Sequence, residues 1–143
     1  MKKLILIFAI TTGSFAYAQK ISNSDVPAAV ASKFSSLYPN SEVKQWKKEK
    51  GNYEAKFMQS SKKKCVVIDP SGNVVKTTTD INVMELPVSV NDYVAKNYGT
   101  EKITEASKTT EANGKIKYEA KVKETHLCFD ANGNFIKAEK HKS

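Results

Sequence analysis

The chain has 143 residues, of which 23 are basic and 15 acidic, for a formal net charge of +8. That length bounds it to one small module. Every basic residue is a lysine, so no guanidinium fork is available to grip a phosphate or a guanine edge, and the charge gives only diffuse attraction. The lysines also alternate with glutamates, as in Lys47-Lys48-Glu49-Lys50 and Lys121-Val122-Lys123-Glu124, which is the pattern of a solvated sheet face. Nucleic acid is therefore not an expected partner.

Residues 1–18 read as a signal peptide. Lys2 and Lys3 form a basic start, Leu4 to Ile10 an apolar core, and Ala16-Tyr17-Ala18 a small-x-small cleavage site before Gln19. The apolar run is too short to span a bilayer, and no cysteine lies near the cleavage site to take a lipid anchor. The expectation is an exported protein, periplasmic or secreted, with no transmembrane segment in the mature chain. Removing the two leader lysines from +8 leaves +6.

From Gln19 to Ser24 the chain is polar and reads as a loose terminus. Asp25 then opens a helix, with Pro27 in its first turn and Val30, Phe34, Leu37 and Tyr38 spaced along one face. Pro39-Asn40 stops it. The period then changes to two, which predicts strands over 42–48, 53–59, 64–69 and 74–79 joined by short turns. In Asp69-Pro70-Ser71-Gly72 the proline comes early and the glycine late, as a turn requires.

After a link over 80–85 the same order of elements is expected again. Leu86-Pro87 takes the place of Val26-Pro27, and Val90, Val94 and Tyr98 that of Val30, Phe34 and Tyr38, with Gly99 ending the helix. Strands follow at about 102–108, 116–123, 126–130 and 135–139. Tyr53-Glu54-Ala55-Lys56-Phe57 returns as Tyr118-Glu119-Ala120-Lys121-Val122, and the turn at Asp69 returns at Asp130. The expected fold is α+β: two tandem repeats, 19–81 and 82–143, each a helix plus a four-stranded antiparallel meander, with the helices packed on one sheet face.

Strand parity divides the residues between two faces. Tyr53, Ala55 and Phe57, with Tyr118, Ala120 and Val122, should point at the helices. The helix-free face should collect Glu54, Lys56, Met58, Cys65 and Val67, with Lys117, Glu119, Lys121, His126 and Cys128. Trp46 stands three residues after Val43, so a regular strand points it away from the helix, where it would anchor a partner. A bulge in that strand would return it to the core. Three or four strand spacings of about 4.8 Å would separate Cys65 from Cys128, too far for a disulfide, so free thiols are expected.

These landmarks carry a resemblance. Val26-Pro27 and Leu86-Pro87 opening helices, Tyr38-Pro39 closing the first, Trp46 and Tyr53 in the strands that follow, and the turns at Asp69 and Asp130 resemble PepSY-like proteins of the beta-lactamase-inhibitor-like type, over nearly all of the mature chain. Gly99, where the first helix has Pro39, departs from the pattern. The resemblance implies a small exported bacterial protein whose sheet face grips a protein partner.

Catalytic chemistry finds little support. Asp130-Ala131-Asn132-Gly133-Asn134 places oxygen-bearing side chains at alternate positions, yet its glycine is fourth where a calcium loop needs it sixth, and the twelfth position is His141. Only His126 and His141 could serve as imidazole bases. His126 and Cys128, with Cys65, fall short of the four ligands of a structural zinc site. The chain is thus expected to be no enzyme, to hold no cofactor or metal, and to bind a protein or inhibit one through Trp46, Glu54, Lys56, Met58, Lys117, Glu119, Lys121 and His126. The alternatives are a small-ligand or structural envelope protein, and after them an enzyme with a site of unrecognised type.

Overall fold

The computed structural model describes residues 18–140. Residues 1–17, on which the expected signal peptide falls, and residues 141–143 lie outside the described residues. Nine strands form one antiparallel sheet whose spatial order is the chain order. They are β1 (Gln19–Ile21), β2 (Val43–Glu49), β3 (Asn52–Gln59), β4 (Lys62–Ile68), β5 (Val74–Ile81), β6 (Ile103–Glu111), β7 (Ile116–Val122), β8 (Thr125–Asp130) and β9 (Phe135–Lys140). Helix α1 (Ala28–Leu37) connects β1 to β2, and α2 (Val88–Tyr98) connects β5 to β6.

The expectation of two tandem helix-plus-meander repeats is overturned by this topology. β5 and β6 pair along six residues, from Lys76 opposite Glu111 to Ile81 opposite Ala106. The ladder therefore runs without interruption through the point where one unit was expected to end. β6 reaches Glu111 rather than Lys108, and the added residues Thr109, Thr110 and Glu111 supply half of the six pairs with β5. Thr77 faces Thr110 and Thr78 faces Thr109, and β-branched cross-strand pairs of this kind favour a ladder.

Three smaller expectations also change. Gln19–Ile21 is not loose but forms the edge strand β1, with Ile21 opposite Trp46. Asp25 does not open the helix. It closes a 3-10 turn at Asn23–Asp25, where its carboxylate accepts from the Ser22 hydroxyl at 3.0 Å, and α1 begins after Pro27. Leu37, grouped by spacing with the buried helix residues, is 44% exposed.

Both helices lie on the same face. Val30 and Phe34 of α1 pack with Tyr53, Ala55, Phe57, Val66 and Ile68, and Val90 and Val94 of α2 pack with Ala120, Val122, Leu127 and Phe129. Phe57, Lys64, Thr79, Lys108 and Tyr118 are successive neighbours across β3 to β7, so the two cores share one side of one sheet. The side chains of the other side, half of the total, are left uncovered by any helix.

Two turns tie the sheet to the helix starts. In Asp69–Asn73 the Asp69 carboxylate accepts from the backbone N–H groups of Ser71 and Asn73, both at 2.9 Å, and Asp130 does the same with Asn132 and Asn134. Gly133, at φ +79°, lies so close to α2 that an added Cβ would stand 2.1 Å from Ser89 Oγ. The Ser89 hydroxyl donates to the Asn132 carbonyl at 2.9 Å. The aspartate-to-asparagine pattern is thus explained as a turn clasp.

Candidate functional site

Trp46 does not belong to the uncovered face. It is 5% exposed, packs edge-on against Phe34 at 5.9 Å and belongs to the core under α1. The cause is a bulge. Val43 pairs with Phe57 but Gln45 pairs with Lys56, so Lys44 is an extra residue and the parity of the strand resets before Trp46. β6 carries the same irregularity between Ile103 and Glu105, which buries Ala106. Trp46 is thereby withdrawn as an exposed anchor.

The other seven expected residues share the helix-free face. Lys47, Glu54, Val67, Lys76 and Glu111 form one row across β2 to β6. Gln45, Lys56, Cys65, Thr78, Thr109, Lys117 and Asp130 form the next. Toward the other end lie Met58 with Lys63, then Asp80, Ser107, Glu119, Cys128 and Lys137, and finally Glu105, Lys121, His126 and Glu139.

Polar and charged side chains meet on this face. His126 Nδ1 lies 2.6 Å from Glu119 Oε1, Lys121 Nζ 3.0 Å from Glu105, Lys117 Nζ 2.6 Å from Glu111 and Lys56 Nζ 3.7 Å from Glu54. The hydrogen bond from Lys121 holds the Glu105 carboxyl below its ordinary range, and that from Lys117 does the same for Glu111. Lys47 is held low first by its side-chain contact with Lys56 and then by burial. Most of the paired groups are partly exposed, so each pair adds little to stability.

Both cysteines carry free thiols, as the separation of β4 from β8 requires. Burial, and then Glu54, pushes the Cys65 thiol up to about 12. Burial, and then Glu119, raises Cys128. Because the thiolate is the reactive form, neither sulfur is prepared for nucleophilic attack. Among the described residues no three His, Cys, Asp or Glu side chains converge as a metal site.

Parity missed the bulge residue Gln45 and the seam threonines. Thr78 and Thr109 join their hydroxyls at 2.8 Å in the middle of the face. The paired runs Thr77-Thr78-Thr79 and Thr109-Thr110 were the signal that could have revealed this ladder. A further hollow of about 390 Å³ is walled by Glu54, Val67, Lys76, Glu111 and Asn113. The loop after β6 is pinned beside it by the Ala112 N–H donating to the Val75 carbonyl at 2.9 Å.

A helix-backed antiparallel sheet with one broad face left uncovered by the helices defines the class: a small sheet-face scaffold. The chain belongs to the family described as "Putative beta-lactamase-inhibitor-like, PepSY-like", whose model matches residues 15–76 and 51–137. Among solved structures it is similar to one described as "putative periplasmic proteins" from Bacteroides eggerthii, at 17% identity and a TM-score of 0.72, covering 80% of this chain and 88% of that one. It is also similar to a DUF2874 family protein from Bacteroides ovatus, at 24% identity and a TM-score of 0.68, covering 80% and 86%. A third similar structure is a BLIP-like protein from Bacteroides fragilis, at 21% identity and a TM-score of 0.63, again covering 80% and 86%. At these identities the likeness concerns the fold. No curated protein sequence matches the chain. No helix among the described residues is long and apolar enough to cross a membrane.

Proposed function

We propose that this chain is an exported, non-enzymatic module that binds a protein in the periplasm or outside the cell, and acts as an inhibitor of it, through the helix-free sheet face. The observation that carries the reading is the size and charge order of that face. Eight inter-strand spacings of about 4.8 Å and some six residues of about 3.3 Å per strand give roughly 750 Å², close to the ~800 Å² that one partner contributes to a stable interface. Glu54, Lys56, Met58, Lys117, Glu119, Lys121 and His126 supply its polar contacts and one flexible apolar one. The leader-like start and the periplasmic description of a neighbour support the location, and the inhibitor-like family description supports the mode of action.

The test is capture from envelope extract by three baits. The Lys56→Glu/Lys117→Glu variant inverts charge on the uncovered face, whereas Lys33→Glu/Lys96→Glu inverts it on the helices. A prey held by the wild type and the helix variant but lost by the face variant is the expected outcome. Equal capture by all three baits would refute docking on this face.

A further inference from the structure

We propose that the trough beside the β2 bulge is a binding site for a small amphipathic anion, an alkyl carboxylate of medium chain length. The trough measures about 370 Å³ and is bounded by Lys44, Lys56, Met58, Lys63, Cys65 and Thr78. That volume is toward the lower end of the roughly 300–1,000 Å³ typical of small-molecule pockets.

Three observations converge on this chemistry. The first is an apolar floor on a face that is otherwise charged. Met58 and Cys65 lie half-buried on β3 and β4, and the Cys65 sulfur stays a neutral thiol because burial raises it to about 12. Methionine adapts its shape to a chain laid against it. The second is the cationic rim. The bulge that returns Trp46 to the core also sets two residues, Lys44 and Gln45, against the single Lys56. Lys63 stands directly across from Met58. Neither Lys44 nor Lys63 takes part in the ion pairs among the described residues, while Lys56 holds Glu54 only at 3.7 Å. Asp80 is the one carboxylate of the lining. The third is contrast with neighbouring hollows. The space beside Val67 sets Glu49, Glu54 and Glu111 against Lys50 and Lys76, and that beside His126 sets Asp80, Glu105 and Glu119 against Lys121, so acidic groups outnumber lysines in both, whereas the trough sets four lysines against one carboxylate.

The occupant that fits is a carboxylate head among the lysine ammonium groups with its chain along Met58 and Cys65. A short anion has no use for the floor, and a cationic amphiphile meets the rim as repulsion. Lys56 and Met58 border both the trough and the face proposed for protein docking, but the trough needs no partner chain to be filled.

Methyl-labelled methionine makes the test direct, because the mature sequence holds Met58 in the trough, while Met84, 90% exposed and not part of its lining, serves as an internal control. Dodecanoate titrated into the protein below its micelle concentration should shift the Met58 methyl signal saturably and leave Met84 unmoved. Dodecyltrimethylammonium should bind at least tenfold more weakly, acetate should give no saturation, and Lys44→Glu/Lys63→Glu should weaken dodecanoate at least tenfold while leaving the rest of the spectrum in place. Lys117→Glu, which tests protein docking on β7, should not alter the Met58 response, so the two proposals fail separately. Equal affinity for the cationic amphiphile, an unchanged affinity in the double variant, or a Met58 response to phosphatidylglycerol vesicles with none to dodecanoate would each overturn the assignment.

Discussion

Replacing Trp46 with alanine removes an indole that is 5% exposed and stacked edge-on against Phe34. Truncation of a buried tryptophan costs about 3–5 kcal/mol, so Trp46→Ala should lower the unfolding free energy by that amount, read as a lower denaturant midpoint at unchanged slope. As the chain has one tryptophan, its emission in the free protein should already be blue-shifted. A red-shifted emission with an unchanged midpoint would put the indole in water. Gly133 offers a second residue-scale contrast. A Cβ there would stand 2.1 Å from Ser89 Oγ and 2.8 Å from Pro87 Cβ, whereas at Gly51 it meets nothing within 4 Å, although both glycines have positive φ. The backbone term of about 1 kcal/mol is common to both substitutions. Gly133→Ala should therefore be clearly the more destabilising in parallel urea titrations, and equal losses would mean that the turn does not press on α2.

At the scale of the element, the two aspartate turns make stability depend on acid. Hydrogen bonds from the backbone and side chain of Asn73 hold the Asp69 carboxyl below its ordinary range, and those of Asn134 do so for Asp130. A carboxyl depressed on folding contributes stability that is fully present above its unfolded value, about 3.9, and is lost as pH falls through the lower folded value. The acid limb of the stability curve should consequently flatten in Asp69→Asn/Asp130→Asn, as followed by urea unfolding between pH 2 and pH 6; an unchanged limb would mean that the clasps do not contribute. Element positions were the most legible part of the sequence, because period-two runs and proline or glycine stops mark β3, β4, β7 and β8 with little ambiguity. Less legible were the features that break a local rule. β1 has only three residues, too few to show a period. The bulges in β2 and β6 are marked by no glycine or proline in either strand, so parity placed Trp46 on the wrong face while it placed Glu54, Lys56, Met58, Lys117, Glu119, Lys121 and His126 on the uncovered one.

For the whole molecule, the continuous ladder from β1 to β9 predicts a single cooperative transition. Units that shared no ladder could melt separately, whereas pairing of β5 with β6 along six positions couples the core under α1 to the core under α2. Calorimetry should give one peak with calorimetric and van't Hoff enthalpies in agreement. Two resolved peaks would show that the seam is too weak to transmit unfolding. The seam was hidden in the sequence because resemblance between the segments around Tyr53 and Tyr118 speaks to local structure and is silent on whether neighbouring edges pair. Proline at Thr109, in the middle of the sheet, would delete a ladder hydrogen bond where no edge can absorb the loss.

Strand order that equals chain order also governs how quickly the fold can be reached. Most neighbouring strands are joined by turns of a few residues, so their pairing closes short loops. The exceptions are β1 with β2 and β5 with β6, where a whole helix intervenes. Closing a longer loop costs more chain entropy before any contact repays it. The hairpins on either side should thus form early and the threonine seam late. Substitutions at Thr78 and Thr109 should then speed unfolding with little effect on the refolding rate in stopped-flow measurements, whereas a slowed refolding limb would place the seam in the folding nucleus.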